Sequence, residues 1–217
     1  GQRLGRVRAL GTGPHGRCRG AHGLVGHRLL REVMVLHRWE AIGLVPSIIF
    51  DGETLDLCEA LVAACRALGV TVGTAESCTG GLVASAVTAI PGSSEAIRGG
   101  VVSYAIPVKH EVLGVSNSIL DAPGVGAVSS ECAAAMAKGA RRVLGCDVAV
   151  SVTGIAGPGG EEPGKPVGTV WMGLATPYST STFPNLFEGD RSEVRARAVK
   201  RAVELLVQGV RETAEKN

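Results

Sequence analysis

The chain has 217 residues, of which 45% are apolar and 3% aromatic, so a core of Val, Ala, Leu and Ile in one domain, alone or with an appendage, is expected. No apolar run reaches the ~18 residues that a membrane span needs, so no membrane association is predicted. Residues 1–50 carry eight Arg against two Glu, a net +6, which leaves −4 for the remainder of a chain whose total is +2. A mildly acidic domain behind a basic segment is not typical of a nucleic-acid-binding fold.

The first fifty residues differ in kind from the rest. Gly, Arg and His dominate there, four of the five histidines lie there, and apolar periodicity is poor. Such a composition buries too little surface to offset the entropy of ordering. We predict a disordered or non-native basic leader at residues 1–50, without assigned function, and a folded domain at residues 51–217.

Cysteine spacing bears on the cellular compartment and on metal binding. The six cysteines, at positions 18, 58, 65, 78, 132 and 146, form no CxxC pair and have no zinc-site spacing with histidine. Buried free thiols in a reducing compartment are therefore expected, which favours a cytoplasmic protein without a metal site.

Periodicity predicts helices that alternate with short apolar strands. In chain order we predict a helix over 53–68, a strand over 70–75, a helix over 79–90, a turn at 91–94, a strand over 101–105, a helix capped by Ser129, a strand over 147–155, a glycine-rich loop at 157–166, strands over 168–176 and 180–188, and a helix from Asp190 to about Glu212. This order indicates an α/β fold with three layers, α/β/α, around a mixed, mostly parallel five-stranded sheet.

Chemistry is expected where these strands end, because ligands collect at the carboxyl ends of parallel strands. The turn at residues 75–81 places two glycines, Gly80 and Gly81, at a helix start that could hold an anion, although an ordinary helix cap explains it equally well. The loop over 151–160 could surround a ligand or be a plain surface turn. Arg191, in the first turn of the last helix, could bind phosphate or pair with an acid.

A serine and a lysine form the second candidate. Ser94 lies in the predicted turn, ten residues before Tyr104 and fifteen before Lys109. A serine becomes nucleophilic when a base takes its proton, and a lysine whose pKa is lowered by burial can be that base. From spacing alone, the alternative is a turn-capping serine and a solvated lysine.

Six segments in this order and spacing resemble the CinA C-terminal domain family: TAESCTGGLVASAVTAIPGSS, GGVVSYAIPVKHEVLGV, GAVSSE, SVTGIAGPGG, KPVGTVW and GDR. The resemblance implies an anticodon-binding-like α/β/α domain that converts nicotinamide mononucleotide (NMN) and water to nicotinic acid mononucleotide and ammonia. It implies no metal and a homodimer or larger homo-oligomer; we also expect no cofactor and, from the charge distribution, no nucleic-acid partner.

The resemblance also implies roles for individual residues. We expect Ser94 to attack the carboxamide with Lys109 as base, although Ser77 could exchange roles with Ser94. Tyr104 would orient the pair or the ring. The substrate-binding set is Thr79, Gly80, Gly81, Thr153, Gly154 and Arg191, with the phosphate at Thr79, Gly80 and Arg191. The alternative is a catalytically silent nucleotide- or partner-binding module linked to competence, consistent with Ile106 where the family usually has Asn.

Overall fold

The computed structural model describes residues 50–216. Apart from Phe50, the leader predicted at residues 1–50 lies outside this range, as does Cys18. In chain order the elements are α1 (Gly52–Leu68), β1 (Val72–Glu76), α2 (Leu82–Thr88), a short 3-10 helix (Ser93–Glu95), β2 (Ile97–Val102), α3 (Ile106–Glu111), α4 (Asn117–Leu120), α5 (Ser130–Leu144), β3 (Val148–Gly154), β4 (Thr169–Ala175), β5 (Thr180–Leu186) and α6 (Arg191–Ala214). None of the helices in residues 50–216 is long and apolar enough to cross a bilayer.

The long helices begin and end at residues that local chemistry favours. The Asp51 carboxylate accepts a hydrogen bond from the Thr54 amide at 2.7 Å and starts α1, and Gly69 ends it with a φ of +65°. At the start of α6, Asp190 and Glu193 form a reciprocal capping box, as predicted from their spacing.

The five strands form one sheet in the order β2-β1-β3-β4-β5. Strand β1 pairs in parallel with β2 and β3, whereas β4 is antiparallel to both of its neighbours. Four of the five strands therefore run in the same direction, which confirms the predicted mixed, mostly parallel sheet.

Two apolar clusters cover the two faces of the sheet. Helices α1, α2 and α6 pack on one face, where Leu61, Val87 and Leu206 are among the buried residues. Helix α5 and the segment after α3 pack on the other, around Met136 and Leu113. The five cysteines of the described range are buried free thiols, as predicted.

The region around β2 differs from its prediction. The strand covers Ile97–Val102 rather than 101–105, and Ala105 instead caps the unpredicted helix α3, which has Pro107 in its first turn. The sequence Arg98-Gly99-Gly100 lacks the apolar alternation of a strand, and only pairing with β1 makes it one. Pro107 is compatible with a helix start because the first helical amides need no partner.

Replacing Gly139 tests how closely α5 packs on the segment after α3. A Cβ at Gly139 would collide with the carbonyl of Leu113, so Gly139→Ala should lower the free energy of unfolding by about 1–3 kcal/mol in urea titration. Gly52→Ala is the control, because a Cβ there meets nothing within 4 Å and should change stability by less than ~1 kcal/mol. Equal effects of the two substitutions would contradict the packing.

Candidate active site

The parallel strands bring three chain segments to one edge of the sheet. Glu76, the last residue of β1, is in register with Val102 of β2 and Val152 of β3. The residues that follow these strands therefore lie near one another, among them Ser77 and Tyr104. This is the edge at which ligands collect in such sheets.

A buried amine lies at this edge. Lys109 is only 2% exposed. Its Nζ lies 3.0 Å from the Ser77 Oγ, 2.6 Å from the Ser103 carbonyl oxygen and 3.3 Å from the Tyr104 carbonyl oxygen. The two carbonyls hold the amine in one place, beside Ser77, which is itself partly exposed.

Burial lowers the pKa of Lys109 below its ordinary value of 10.5. The thiols of Cys132 and Cys78 lie close enough to act electrostatically on Lys109. However, burial raises the pKa of both thiols to about 11, so they are neutral at pH 7 and provide no counter-charge. The site thus favours a neutral amine more than water does.

Glu76, to which the sequence analysis gave no role, fixes the turn that carries Ser77. Its carboxylate is 1% exposed and accepts backbone hydrogen bonds from Gly81 at 2.9 Å, Val83 at 3.1 Å and Ala84 at 2.9 Å. The Thr74 hydroxyl adds a bond of 3.1 Å. The start of α2 is thereby tied to the end of β1, with Ser77 between them. A carboxylate four residues before a Gly-Gly pair that opens a helix is the signal that could have revealed this internal cap.

The predicted Ser94–Lys109 pair is not formed. Ser94 is exposed in the short 3-10 helix before β2, at the end of the sheet where the parallel strands start, and Ser77 follows the opposite end. Strand β1, which spans the distance between those two ends, is about 13 Å long. The sequence predicted a strand over 101–105 between Ser94 and Lys109, but not that the strand would begin at Ile97, three residues after Ser94, and carry the two residues to opposite ends of the sheet. Ser77, the stated alternative, is the serine beside the amine.

At the start of α2, where the phosphate was expected at Thr79 and Gly80, the backbone donors are bonded within the protein. The Gly81 amide is bonded to the Glu76 carboxylate, and the Gly80 amide donates to the Ser77 carbonyl at 3.1 Å. Thr79 is fully buried. The helix start already binds an anion, but this anion is the protein's own side chain, so these three residues do not present free donors to a ligand.

The other predicted residues divide between the site and its supporting loops. Arg191 donates to the Gly157 carbonyl at 2.8 Å and lies 3.4 Å from the hydroxyl of Tyr104, which is 62% exposed. Thr153 is buried and donates to the Ala127 carbonyl at 2.6 Å, so it holds a loop. Gly154 is pressed against β4, where a Cβ would lie 2.6 Å from the Thr169 carbonyl oxygen.

A separate cavity of about 630 Å³ opens on the α5 side of the sheet, near the start of β4. Trp171, Lys165 and Leu186 are among its lining residues, and none of the ten predicted site residues lines it. Within residues 50–216, no three His, Cys, Asp or Glu side chains are grouped so that they could hold a metal ion.

Comparison with known proteins supports the resemblance seen in the sequence. The model of the CinA C-terminal domain matches residues 54–210. A CinA-like protein of Geobacter metallireducens is 47% identical over 156 residues, which are 72% of this chain and 37% of that protein. A CinA-like protein of Anaeromyxobacter dehalogenans is 44% identical over 169 residues, 78% of this chain and 41% of that protein. The chain thus spans about two fifths of the length of these curated relatives.

Solved structures share the fold over nearly their whole length. The competence/damage inducible protein CihA from Agrobacterium tumefaciens superposes with a TM-score of 0.71 at 38% identity and covers 74% of this chain and 97% of that one. The competence damage-inducible protein A (ComA) from Klebsiella pneumoniae has a TM-score of 0.68 at 37% identity and covers 71% and 95%.

Glu76→Gln tests the internal cap. The glutamine side chain would carry no charge and would turn N–H groups toward the backbone N–H donors. The free energy of unfolding should therefore fall by about 1.5–3 kcal/mol in urea titration. Glu95→Gln is the matched control, because its ion pair with Arg66 at 3.3 Å is exposed and should contribute less than ~1 kcal/mol. A Glu76→Gln protein as stable as the control would refute the cap.

Proposed function

Because the chain belongs to the CinA C-terminal domain family, we propose that it is an amidohydrolase that converts NMN to nicotinic acid mononucleotide, with Ser77 as nucleophile and Lys109 as base. The competence and damage vocabulary of its relatives' names describes no reaction. The reaction is inferred from the motifs in the sequence and from the chemistry of the Ser77–Lys109 site.

The environment of the Lys109 amine is the observation that carries the proposal. A neutral amine has two N–H donors and one lone pair. The carbonyls of Ser103 and Tyr104 can accept the two N–H bonds, so the lone pair is left for the third neighbour, the Ser77 hydroxyl. The amine would then accept the proton of Ser77 as the hydroxyl attacks, which is the role of a general base.

The proposed reaction proceeds through an ester on Ser77. The Ser77 oxygen bonds to the carboxamide carbon while its proton passes to Lys109, and a tetrahedral intermediate forms. The carbon–nitrogen bond then breaks, and Lys109 returns the proton to the departing nitrogen, which leaves as ammonia. Water attacks the ester, Lys109 takes one of its protons, and that proton goes to the Ser77 oxygen as the acid is released.

The turn after Ser77 offers donors for the negative oxygen of the intermediate. Within residues 50–216, the amides of Cys78 and Thr79 donate no backbone hydrogen bond, unlike those of Ser77 and Gly80. Since Thr79 is fully buried, we assign the oxyanion to the Cys78 amide, because a donor beside the nucleophile is already oriented before the charge develops.

The exposed side of the site would bind the rest of the nucleotide. Arg191 and Tyr104 meet there, a cation beside an aromatic ring, and both are open to solvent. We assign the phosphate to Arg191 and the ring to Tyr104, since Arg binds phosphate in a bidentate manner and Tyr offers a flat face. With the Gly80 amide bonded to the Ser77 carbonyl and Thr79 buried, Arg191 is the member of the predicted phosphate set that presents an exposed charged side chain.

Ser77→Ala should abolish ammonia release from NMN, measured with a coupled ammonia assay, because no acceptor for the acyl group remains. Ser94→Ala is the control and should retain wild-type turnover, since Ser94 lies beyond the other end of β2. Loss of turnover in Ser94→Ala with activity preserved in Ser77→Ala would reverse this assignment. If NMN raises the melting temperature of the wild-type protein but no ammonia appears, the silent-module alternative replaces the enzyme.

The pH dependence tests Lys109 as base. Only the neutral amine can accept a proton, so kcat/KM for NMN should rise with pH and level off above the pKa of Lys109. Because burial lowers that pKa, the rise should be centred below 10.5. Lys109→Arg should be inactive at every pH, since a guanidinium keeps its proton. Lys138→Arg is the control: Lys138 is exposed, so this variant should keep the wild-type pH dependence of kcat/KM. An active Lys109→Arg protein would exclude Lys109 as the base.

A further inference from the structure

Arg195, which the sequence analysis did not single out, contacts the turn that carries Ser77. It lies one helical turn after Arg191 on α6, and its Nη2 donates to the Thr79 carbonyl at 3.2 Å. The same nitrogen would lie 3.8 Å from a Cβ placed on Gly80. The guanidinium therefore packs against the second and third residues after the nucleophile.

The peptide that Arg195 contacts is itself bonded to Ser77. In a planar trans peptide the carbonyl and the following N–H point in opposite directions. The Thr79 carbonyl accepts from Arg195, and the Gly80 N–H of the same peptide donates to the Ser77 carbonyl at 3.1 Å. A continuous hydrogen-bonded path thus runs from the guanidinium to the main chain of Ser77. A charge at one end of such a path polarises and strengthens the bonds along it.

The contact between Arg195 and the Thr79 turn costs free energy, because it leaves buried polar atoms without a hydrogen-bond partner. The Arg195 Nε and the Thr79 Oγ1 are buried, and neither has a hydrogen-bond partner within residues 50–216. Buried polar atoms are satisfied in most proteins, and local exceptions concentrate at functional sites. A shorter apolar side chain at position 195 would avoid the unpaired Nε.

We infer that Arg195 is a positioning residue for the proposed Ser77–Lys109 reaction: its guanidinium fixes the plane of the Thr79–Gly80 peptide. The turn is then held from both sides, by the Glu76 carboxylate at the amides of Gly81, Val83 and Ala84 and by Arg195 at the Thr79 carbonyl. This inference rests on the proposed function, because it concerns the orientation of the same nucleophile and of the Cys78 amide assigned to the oxyanion.

Covalent labelling of Ser77 tests this inference without NMN. The rate at which an alkyl fluorophosphonate labels Ser77 in the full chain reports how well the nucleophile and its turn are arranged. Arg195→Ala should slow labelling about 10- to 100-fold, the usual effect of a displacement of about 1 Å at a reacting group. Methylguanidinium in the buffer should restore part of the rate, and Arg195→Lys should give an intermediate rate. NMN turnover should lose kcat with little change in KM.

Arg201→Ala is the matched control, because Arg201 lies on the same helix and pairs with Glu204 at 2.7 Å, away from the turn. It should label at the wild-type rate. Wild-type protein that is not labelled at Ser77 would refute the proposed function, and this inference with it. Labelled wild-type protein and an equally fast Arg195→Ala protein would overturn only the role of Arg195. A slow Arg195→Ala protein that methylguanidinium does not accelerate would indicate a general loosening of the fold and would also overturn the role of Arg195. If Arg195→Ala does not fold, the labelling rate of Arg195→Lys is compared with that of Arg201→Ala instead, and equal rates would overturn the role.

Discussion

The site depends on one buried carboxylate. A charge as inaccessible as that of Glu76 must be compensated, and here three backbone amides at the start of α2 compensate it together with the Thr74 hydroxyl. Because the acceptor belongs to the last residue of β1 and the donors to the next helix, the chain between them has little freedom. Ser77 is in that chain, so the bonds that satisfy Glu76 also place this serine, the proposed nucleophile, at the edge of the sheet.

The second constraint is the burial of the Lys109 amine, which forms no ion pair with any residue in 50–216. The neighbours of Lys109 are two carbonyl oxygens, a hydroxyl and two thiols that are neutral at pH 7. Such surroundings make the charged form costly, which is the condition under which lysine becomes a base near neutral pH. A carboxylate beside Lys109 would have given a stable ion pair and an inert amine. The proposed role of Lys109 as a base thus depends on its uncharged carbonyl neighbours as much as on its short distance to Ser77.

The outer part of the site is held by α6. Its first two turns contribute Arg191, which contacts the Gly157 carbonyl and Tyr104, and Arg195, which contacts the turn after Ser77. The capping box of Asp190 and Glu193 fixes where this helix begins, and therefore where both arginines lie. One helix start thus connects the exposed rim of the site with its buried turn.

The sequence by itself determined the class of fold, because the alternation of helical and strand periodicity and the capping residues Asp190 and Gly69 are local properties. It also pointed to Ser77, Tyr104, Lys109 and Arg191, which lie in recognisable motifs and which the structure brings to one edge. Only the tertiary structure decided which serine meets Lys109. Ser94 and Ser77 are both within reach along the chain, but parallel pairing of β1 with β2 sends them to opposite ends of the sheet. The tertiary structure also decided the roles of Glu76 and of the Ser103 carbonyl. Every residue carries main-chain donors and acceptors, so only the fold decides which of them bind these side chains.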